Sequence, residues 1–160
     1  MAFARISHSA LFTLVMIGCL ATIITSGILV GEYNVEHEMP PTEGIETRTR
    51  YLLFCGIWTF LLSLVSILGL SSSPDHLLFS IAGHLVWLLV TLVLFVSGAA
   101  ALTAVIRGEH YNHQTRLEIL AGFAWADSIL IFLAILLILS VGLGRRNGLG
   151  GSLLASPSAA

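Results

Sequence analysis

Charged residues are scarce in this chain: seven Lys+Arg and nine Asp+Glu among 160 residues, or 10%, against 56% hydrophobic residues. A soluble domain carries about 25% charged residues, and the apolar excess here is far more than one small core could bury. The composition therefore excludes a soluble single-domain enzyme. Lysine is absent and the seven arginines are scattered singly or in pairs, so no basic stripe exists to neutralise phosphates, and nucleic-acid binding is disfavoured.

Cysteines and catalytic motifs are equally sparse. Cys19 and Cys55 both lie inside apolar runs, so no disulfide framework in the loops is expected. No GxSxG, HExxH, P-loop or GxGxxG pattern occurs, and we predict no catalytic residue, cofactor or metal. His110 and His113 in the sequence EHYNH, with His37 as a third ligand, could bind zinc. Solvated loop histidines are the favoured interpretation, because zinc signatures need tighter ligand sets.

Long apolar runs are abundant instead, and four of them reach the roughly 20 residues that a membrane-spanning helix needs. They cover about residues 10–30, 51–70, 77–106 and 117–141. None alternates in polarity as a strand of a membrane barrel would. We therefore predict an all-α membrane protein, a four-helix transmembrane bundle with antiparallel neighbours, because the connections are short. The first run could be a cleaved signal peptide, but its length exceeds the usual 7–15 residues, which favours retention.

The runs divide the chain into three predicted regions. These are a short N-terminal head at residues 1–9, the four-helix domain at 10–141, and a disordered Gly/Ser-rich tail at 142–160. The predicted loops are residues 31–50, 71–76 and 107–116. The arginines on the two sides number three and four and do not decide the orientation. Arg145 and Arg146 directly after the last run fit a cytoplasmic end, so we predict an integral multi-pass protein with both termini inside, in the plasma membrane or a secretory-pathway membrane.

Asp127 is the most informative single residue, since it lies about ten residues into the fourth run. A charged carboxylate at the centre of a membrane helix costs about 2.5–3.5 kcal/mol on the insertion scale. Counting along antiparallel helices places four residues at a similar depth: Ser97, Thr59, Trp58 and Thr22. Hydrogen bonding of Asp127 to such hydroxyls, holding the bundle together, is the favoured interpretation. A proton or ion path is the alternative. The same count places His84 roughly 15 Å or more from Asp127, and an interhelical hydrogen bond is favoured for it over a metal site.

Small residues recur at spacings that let helix backbones approach closely in lipid. Gly27 and Gly31 form a GxxxG at the end of the first run, and the third and fourth runs carry Gly98, Ala101 and Gly122. These five positions are our predicted helix-contact residues. Packing inside the bundle and association with a partner are equally compatible with the pattern.

Three stretches resemble the MARVEL-type four-helix membrane proteins, particularly the small fungal ones. They are RTRYLLFCGIWTFLLSLVSIL, LLVTLVLFVSGAAALTAVIRG and LEILAGFAWADSILIFLAILLIL. With the first run included, the resemblance covers about residues 9–141. It implies four membrane helices and a role in membrane organisation, through lipid domains, membrane apposition or trafficking, and it implies no catalytic residue.

We therefore expect a non-enzymatic protein that organises membrane domains, or scaffolds and traffics other membrane proteins. Its expected partners are membrane lipids and either other membrane proteins or further copies of itself. An accessory subunit of a larger membrane enzyme or pump is the first alternative. A small transporter or channel that uses Asp127 is the second.

Overall fold

The computed structural model describes residues 2–35, 42–72, 81–107 and 114–143. All of these residues except Thr42 and Arg107 are helical. The helices are α1 (Ala2–Val35), α2 (Glu43–Ser72), α3 (Ile81–Ile106) and α4 (Gln114–Leu143). The prediction of an all-α four-helix bundle is confirmed.

All four helices are long and apolar enough to cross a membrane. The candidate spans have 25 to 27 residues: Ala10–Asn34, Glu43–Ile67, Ala82–Ile106 and Gln114–Ser140. In an apolar stretch of 18 residues within each span, only 28% to 39% of the residues are buried inside the bundle, so much of the apolar surface faces outward. Because such a surface is stable against lipid tails and costly in water, this architecture is that of an integral multi-pass membrane protein.

The helices are longer than the apolar runs, and this corrects part of the predicted loops. Residues 31–35 belong to α1 and residues 43–50 to α2, although the whole segment 31–50 was predicted to be a loop. The polar end of α2 is helical because the Thr42 carbonyl accepts bonds from the Ile45 and Glu46 N–H groups at 3.0 and 3.4 Å. The negative carboxylates of Glu43 and Glu46 in the first turn also interact favourably with the positive end of the helix dipole.

The other ends show the same extension. α1 begins at Ala2, within the predicted head, and α4 begins at Gln114, where the Gln114 amide donates to Glu118 at 2.9 Å. At its other end α4 includes residues 142 and 143, which were assigned to the tail. Residues 77–80 of the third run, 144–160 of the tail, and the histidines of the predicted loops lie outside the described residues.

Each helix packs against its neighbours in the chain, and α1 closes the ring against α4. Their directions follow from pairs of residues near the helix ends. Glu32 near the end of α1 forms an ion pair with Arg116 near the start of α4, and Tyr51 near the start of α2 bonds to Ser97 in the second half of α3. Neighbouring helices are therefore antiparallel, as predicted. The core between them contains Phe12, Leu88, Phe95 and other fully buried apolar side chains.

Candidate functional site

Asp127 lies inside the bundle, between α4 and α1, and is fully buried. Its Oδ2 accepts a hydrogen bond of 2.8 Å from Thr22 Oγ1. The carboxyl group also lies against the backbone of Gly18, so close that a Cβ atom there would collide with Oδ1. Gly18 and Thr22 are one helical turn apart on α1. Together these two small residues position the carboxyl group: Gly18 leaves room for it and Thr22 donates a hydrogen bond to it.

Two buried hydroxyls of α2 follow the place where α2 contacts α1. A Cβ on Gly56 would stand 2.9 Å from Ile23 Cγ1 and 3.5 Å from the Cys19 carbonyl oxygen. This contact places Gly56 of α2 at the same depth as the part of α1 that contacts Asp127. Thr59 follows Gly56 by less than one turn and Ser63 follows by less than two, and both are fully buried. We call Gly18, Thr22 and Asp127, which are in contact, the midplane cluster.

Three buried oxygen atoms of α2 and α4 have no hydrogen-bond partner among the described residues. They are Asp127 Oδ1, Thr59 Oγ1 and Ser63 Oγ. A polar group buried without a partner costs roughly 1–3 kcal/mol. Other hydroxyls of the bundle avoid this cost by bonding back to the carbonyl four residues earlier, as Ser26, Thr91 and Ser128 do at 2.6 to 2.8 Å. The Tyr33 hydroxyl of α1 is likewise buried without a partner among the described residues, so the unsatisfied groups are not confined to one part of the bundle.

The four residues predicted at the depth of Asp127 divide into two that are buried and two that are exposed. Thr22 bonds to Asp127, and Thr59 is fully buried inside the bundle. Ser97 is instead exposed and bonds to the Leu94 carbonyl at 2.9 Å and to the Tyr51 hydroxyl at 3.1 Å. Trp58 is 41% exposed and stacks on Phe54. Depth can be counted from the sequence, but the face of the helix cannot, and Ser97 and Trp58 lie on other faces.

His84 is fully buried at a different level of the bundle. Its ring contacts Phe12 edge-on at 6.3 Å between centroids and Trp87 at 6.0 Å. Phe12 precedes Gly18 and Thr22, the residues that contact Asp127, by six and ten positions along α1, which is about 9–15 Å. His84 therefore belongs to an aromatic cluster. Within the described residues, no group of three or more His, Cys, Asp or Glu side chains is placed to hold a metal ion.

Three glycines make tight contacts inside the bundle, and sequence reasoning identified one of them. A Cβ on Gly98 would stand 2.7 Å from Leu52 and 2.9 Å from Tyr51, so α2 and α3 approach closely there. Gly18 and Gly56 do the same for α1 against α4 and for α2 against α1. Sequence reasoning missed these two positions. The signal for Gly18 was present in the small-xxx-small spacing of Gly18 and Thr22.

The other predicted contact glycines face away from the bundle. Gly27, Gly31 and Gly122 have open space where a side chain would stand, with nothing within 4 Å among the described residues. Ala101 is half-buried beside the fully buried Leu102. The predicted contact set therefore mixes one interior position, one intermediate position and three outward ones.

Polar side chains connect the helices at the end of the bundle where α1 finishes. Arg116 of α4 pairs with Glu32 of α1. Arg50 of α2 pairs with Glu46 at 2.5 Å and donates to Asn34 of α1 at 3.3 Å. These groups are partly exposed, so each pair contributes little, about 0–1 kcal/mol. They hold α1, α2 and α4 in register at this end of the bundle.

No protein-family model, curated protein or solved structure matches this chain.

Proposed function

We propose that this chain is a non-enzymatic membrane protein that organises membrane domains, or scaffolds and traffics other membrane proteins, through outward small-residue faces and lipid contacts. The observation that carries the proposal is the open space at Gly27, Gly31 and Gly122. The bundle is held together by other glycines, so these three are available to a helix from outside it.

The outward face of α1 has the composition of a helix-docking surface. Gly27 and Gly31 are one turn apart, and the large exposed side chains Ile24 and Ile28 lie beside them. A second helix could bring its backbone close to the two glycines and pack between the isoleucines. In lipid, where the hydrophobic effect supplies no drive between helices, such close packing is a main source of association energy.

Lipid contact is the second part of the proposed mechanism. A 25-residue span is about 38 Å long as a straight helix, whereas the hydrocarbon core of a typical bilayer is about 30 Å thick. Tilting of the helices or a thicker surrounding bilayer would relieve the difference. The outward apolar surface would thus favour the thicker plasma membrane or a late secretory membrane. We propose that both termini face the cytoplasm, with Arg145 and Arg146 following the last helix. The MARVEL-type resemblance supports the same role.

The test is extraction of the full chain in native-lipid particles, followed by identification of the proteins and lipids that accompany it. We compare the wild type with a Gly27→Leu/Gly31→Leu variant, which fills the open space on α1. The matched control is Ile17→Leu, an exposed position on the same helix. The proposal expects at least a tenfold loss of associated membrane proteins or of self-association in the glycine variant and none in the control.

Two outcomes contradict the proposal. One is a strictly monomeric wild type with no lipid or protein preference, and the other is equal association of the wild type and the double glycine variant. Recovery of a single stoichiometric partner would instead identify an accessory subunit of a larger complex, whereas a diffuse set of partners supports a scaffold.

A further inference from the structure

The hydroxyls of Tyr51 and Ser97 form a polar pair on the outer surface of the bundle, between α2 and α3. Their oxygen atoms lie 3.1 Å apart. Ser97 Oγ also donates to the Leu94 carbonyl at 2.9 Å, and Tyr51 Oη bonds to the same carbonyl at 3.2 Å. Because Ser97 is exposed and Tyr51 is half-buried, these groups are accessible from the lipid that surrounds the bundle. We call the two side chains the hydroxyl pair.

The hydroxyl pair lies at the depth of the hydrocarbon core. Tyr51 follows the start of its span at Glu43 by eight residues, and Ser97 precedes the end of its span at Ile106 by nine, which is about 12 and 14 Å. Since each span is only about 8 Å longer than the hydrocarbon core is thick, both residues lie inside the core. A charged lipid headgroup is costly at this depth. A molecule that reaches the hydroxyl pair must therefore be mostly apolar.

The hydrogen-bond inventory of the pair shows which kind of group would complete it. A hydroxyl has one hydrogen to donate and two lone pairs to accept with. Ser97 gives its hydrogen to Leu94, and Tyr51 gives its hydrogen to Leu94 or to Ser97. Both hydrogens are used within the protein, whereas lone pairs on the two oxygens remain. Because an acceptor in hydrocarbon is stabilised by a donor, a lipid with its own hydroxyl fits here better than one with a carbonyl alone.

A flat aromatic surface adjoins the hydroxyl pair on α2. Phe54 and Trp58 follow Tyr51 by three and seven positions, so the three residues share one face of the helix. The rings of Phe54 and Trp58 stack with 6.1 Å between centroids and 27° between planes, and both are exposed. The contact of Tyr51 with Ser97 fixes the antiparallel register of α2 and α3. It places Trp58 level with the exposed Val90, since each lies seven residues from that contact.

The packing of α2 against α3 leaves this surface open. The two helices approach closely at Gly98, where a Cβ would stand 2.7 Å from Leu52 and 2.9 Å from Tyr51, and this contact holds the Tyr51 ring beside Ser97. Among the described residues, α2 and α3 nevertheless form the least extensive of the four neighbouring helix pairs. Beyond the contact, exposed apolar side chains of both helices therefore border a shallow groove that begins at the hydroxyl pair.

We propose that this groove binds one sterol, whose hydroxyl donates to the hydroxyl pair and whose ring system packs on Phe54 and Trp58. A sterol is apolar except for a single hydroxyl, which matches the depth of the pair and its need for a donor. Its fused rings are flat and rigid, so they match the stacked aromatic rings and lose little conformational freedom on binding. The inference rests on the lipid-contact part of the proposed function and names the class of lipid.

The experiment is photolabelling of the purified full chain in phospholipid nanodiscs with a diazirine analogue of cholesterol, followed by mass spectrometry of the labelled peptides. In the wild type the label should map to α2 and α3 near Trp58 and Val90, and excess cholesterol should abolish it. Cholestenone, which has a carbonyl in place of the hydroxyl, should compete about three- to tenfold more weakly, since one hydrogen bond in a membrane supplies a factor of this size. Diacylglycerol, a flexible lipid with one hydroxyl, should not compete.

Two variants test the hydroxyl and the aromatic surface separately. Tyr51→Phe removes the hydroxyl, keeps the ring beside Gly98, and should lower specific labelling about three- to tenfold. Trp58→Leu removes part of the flat surface and should lower it severalfold. The matched controls are Ser140→Ala, which removes an exposed hydroxyl that also bonds to a carbonyl three residues earlier, and Trp125→Leu at an exposed tryptophan of α4. Both controls should be labelled like the wild type.

The sterol proposal is overturned by wild-type labelling that excess cholesterol does not reduce, by equal competition from cholestenone or diacylglycerol, or by unchanged labelling of Tyr51→Phe. The competition results use the wild type alone, so they decide the matter where a variant fails to fold. The Gly27→Leu/Gly31→Leu variant should be labelled like the wild type. Loss of protein association in that variant and loss of sterol labelling in Tyr51→Phe are therefore separate outcomes, and failure of one proposal is distinguishable from failure of the other.

Discussion

The glycines that face into the bundle and those that face out of it differ in what surrounds them. Gly18, Gly56 and Gly98 are each within 3 Å of a neighbouring helix when a Cβ is placed on them. Gly27, Gly31 and Gly122 have open space at the same distance and beyond. The first set therefore sets how closely the helices approach one another, and the second leaves flat places on the surface. Glycine therefore has two different roles in this bundle, and substitutions in the two sets should have different effects on stability.

The largest effect is expected from Gly18→Leu. The new side chain would displace the Asp127 carboxyl group, break its hydrogen bond with Thr22 and leave a buried carboxyl without that donor. Overpacking typically costs about 1–3 kcal/mol, and loss of the hydrogen bond adds about 0.6 kcal/mol and at most about 1.7 kcal/mol. Reversible unfolding in bicelles measures the loss. Gly27→Leu is the matched control on the same helix, and an equal loss from both variants would contradict the division into two sets.

Gly98→Ala should destabilise the bundle less, by about 1–2 kcal/mol. The added methyl group would stand 2.7 Å from Leu52 and 2.9 Å from Tyr51, and side chains can shift more readily than backbone. The hydrogen bond between Tyr51 and Ser97 should weaken at the same time, because both residues adjoin the contact. The unfolding free energy is compared with that of Gly122→Ala, which is the same substitution at a position with open space around it. A fully stable Gly98→Ala would show that α2 and α3 are not in tight contact.

Thr22→Val should cost about 0.6 kcal/mol and at most about 1.7 kcal/mol, the range measured for hydrogen bonds between membrane helices. Valine keeps the volume of threonine and removes the donor to Asp127. A double-mutant cycle with Asp127→Ala, which removes the acceptor, separates this bond from other effects of each change. Thr47→Val serves as the control, since its hydroxyl is exposed and bonds within α2. A coupling energy of zero would remove the interhelical bond from the account.

Gly122→Ala should give the smallest change in stability, and in the favourable direction. Alanine is preferred over glycine inside a helix by up to about 1 kcal/mol, and no described atom lies near the added methyl group. The unfolding free energy should stay the same or rise, while lateral association through α4, measured by energy transfer between labelled copies, should weaken. A destabilised Gly122→Ala would place this glycine inside a contact.

Much of the fold could be predicted from the sequence, because hydrocarbon imposes simple rules on length and polarity. The number of helices and their antiparallel arrangement followed from four apolar runs and short connections. The depth of Thr22 relative to Asp127 followed from the rise of a helix. The loop boundaries did not, because the polar ends of these helices have no apolar pattern. The start of α2 is stabilised by hydrogen bonds to the Thr42 carbonyl and by Glu43 and Glu46, and the end of α1 is contacted by Arg50 and Arg116.

The sequence could not predict which face of its helix each residue occupies. In a soluble helix polarity distinguishes inside from outside, but here both sides are apolar. Leu88 is fully buried and Val93 is 66% exposed on the same helix. Because both residues are apolar, their types do not show which one faces inward. For this reason the glycine spacing at Gly27 and Gly31 suggested a contact as strongly as the spacing of Gly18 and Thr22. Only three-dimensional packing separates the two.

The proposed function depends on the chain crossing a membrane four times. The most direct test attaches distinct tags to the two ends of the full-length protein in sealed membrane vesicles and measures whether antibodies reach them from outside. An even number of crossings predicts that both tags are accessible from one face, with cysteines introduced at the exposed Thr42 and Arg107 labelled from the other. Tags found on opposite faces would contradict the four-helix membrane bundle and every contact argued from it.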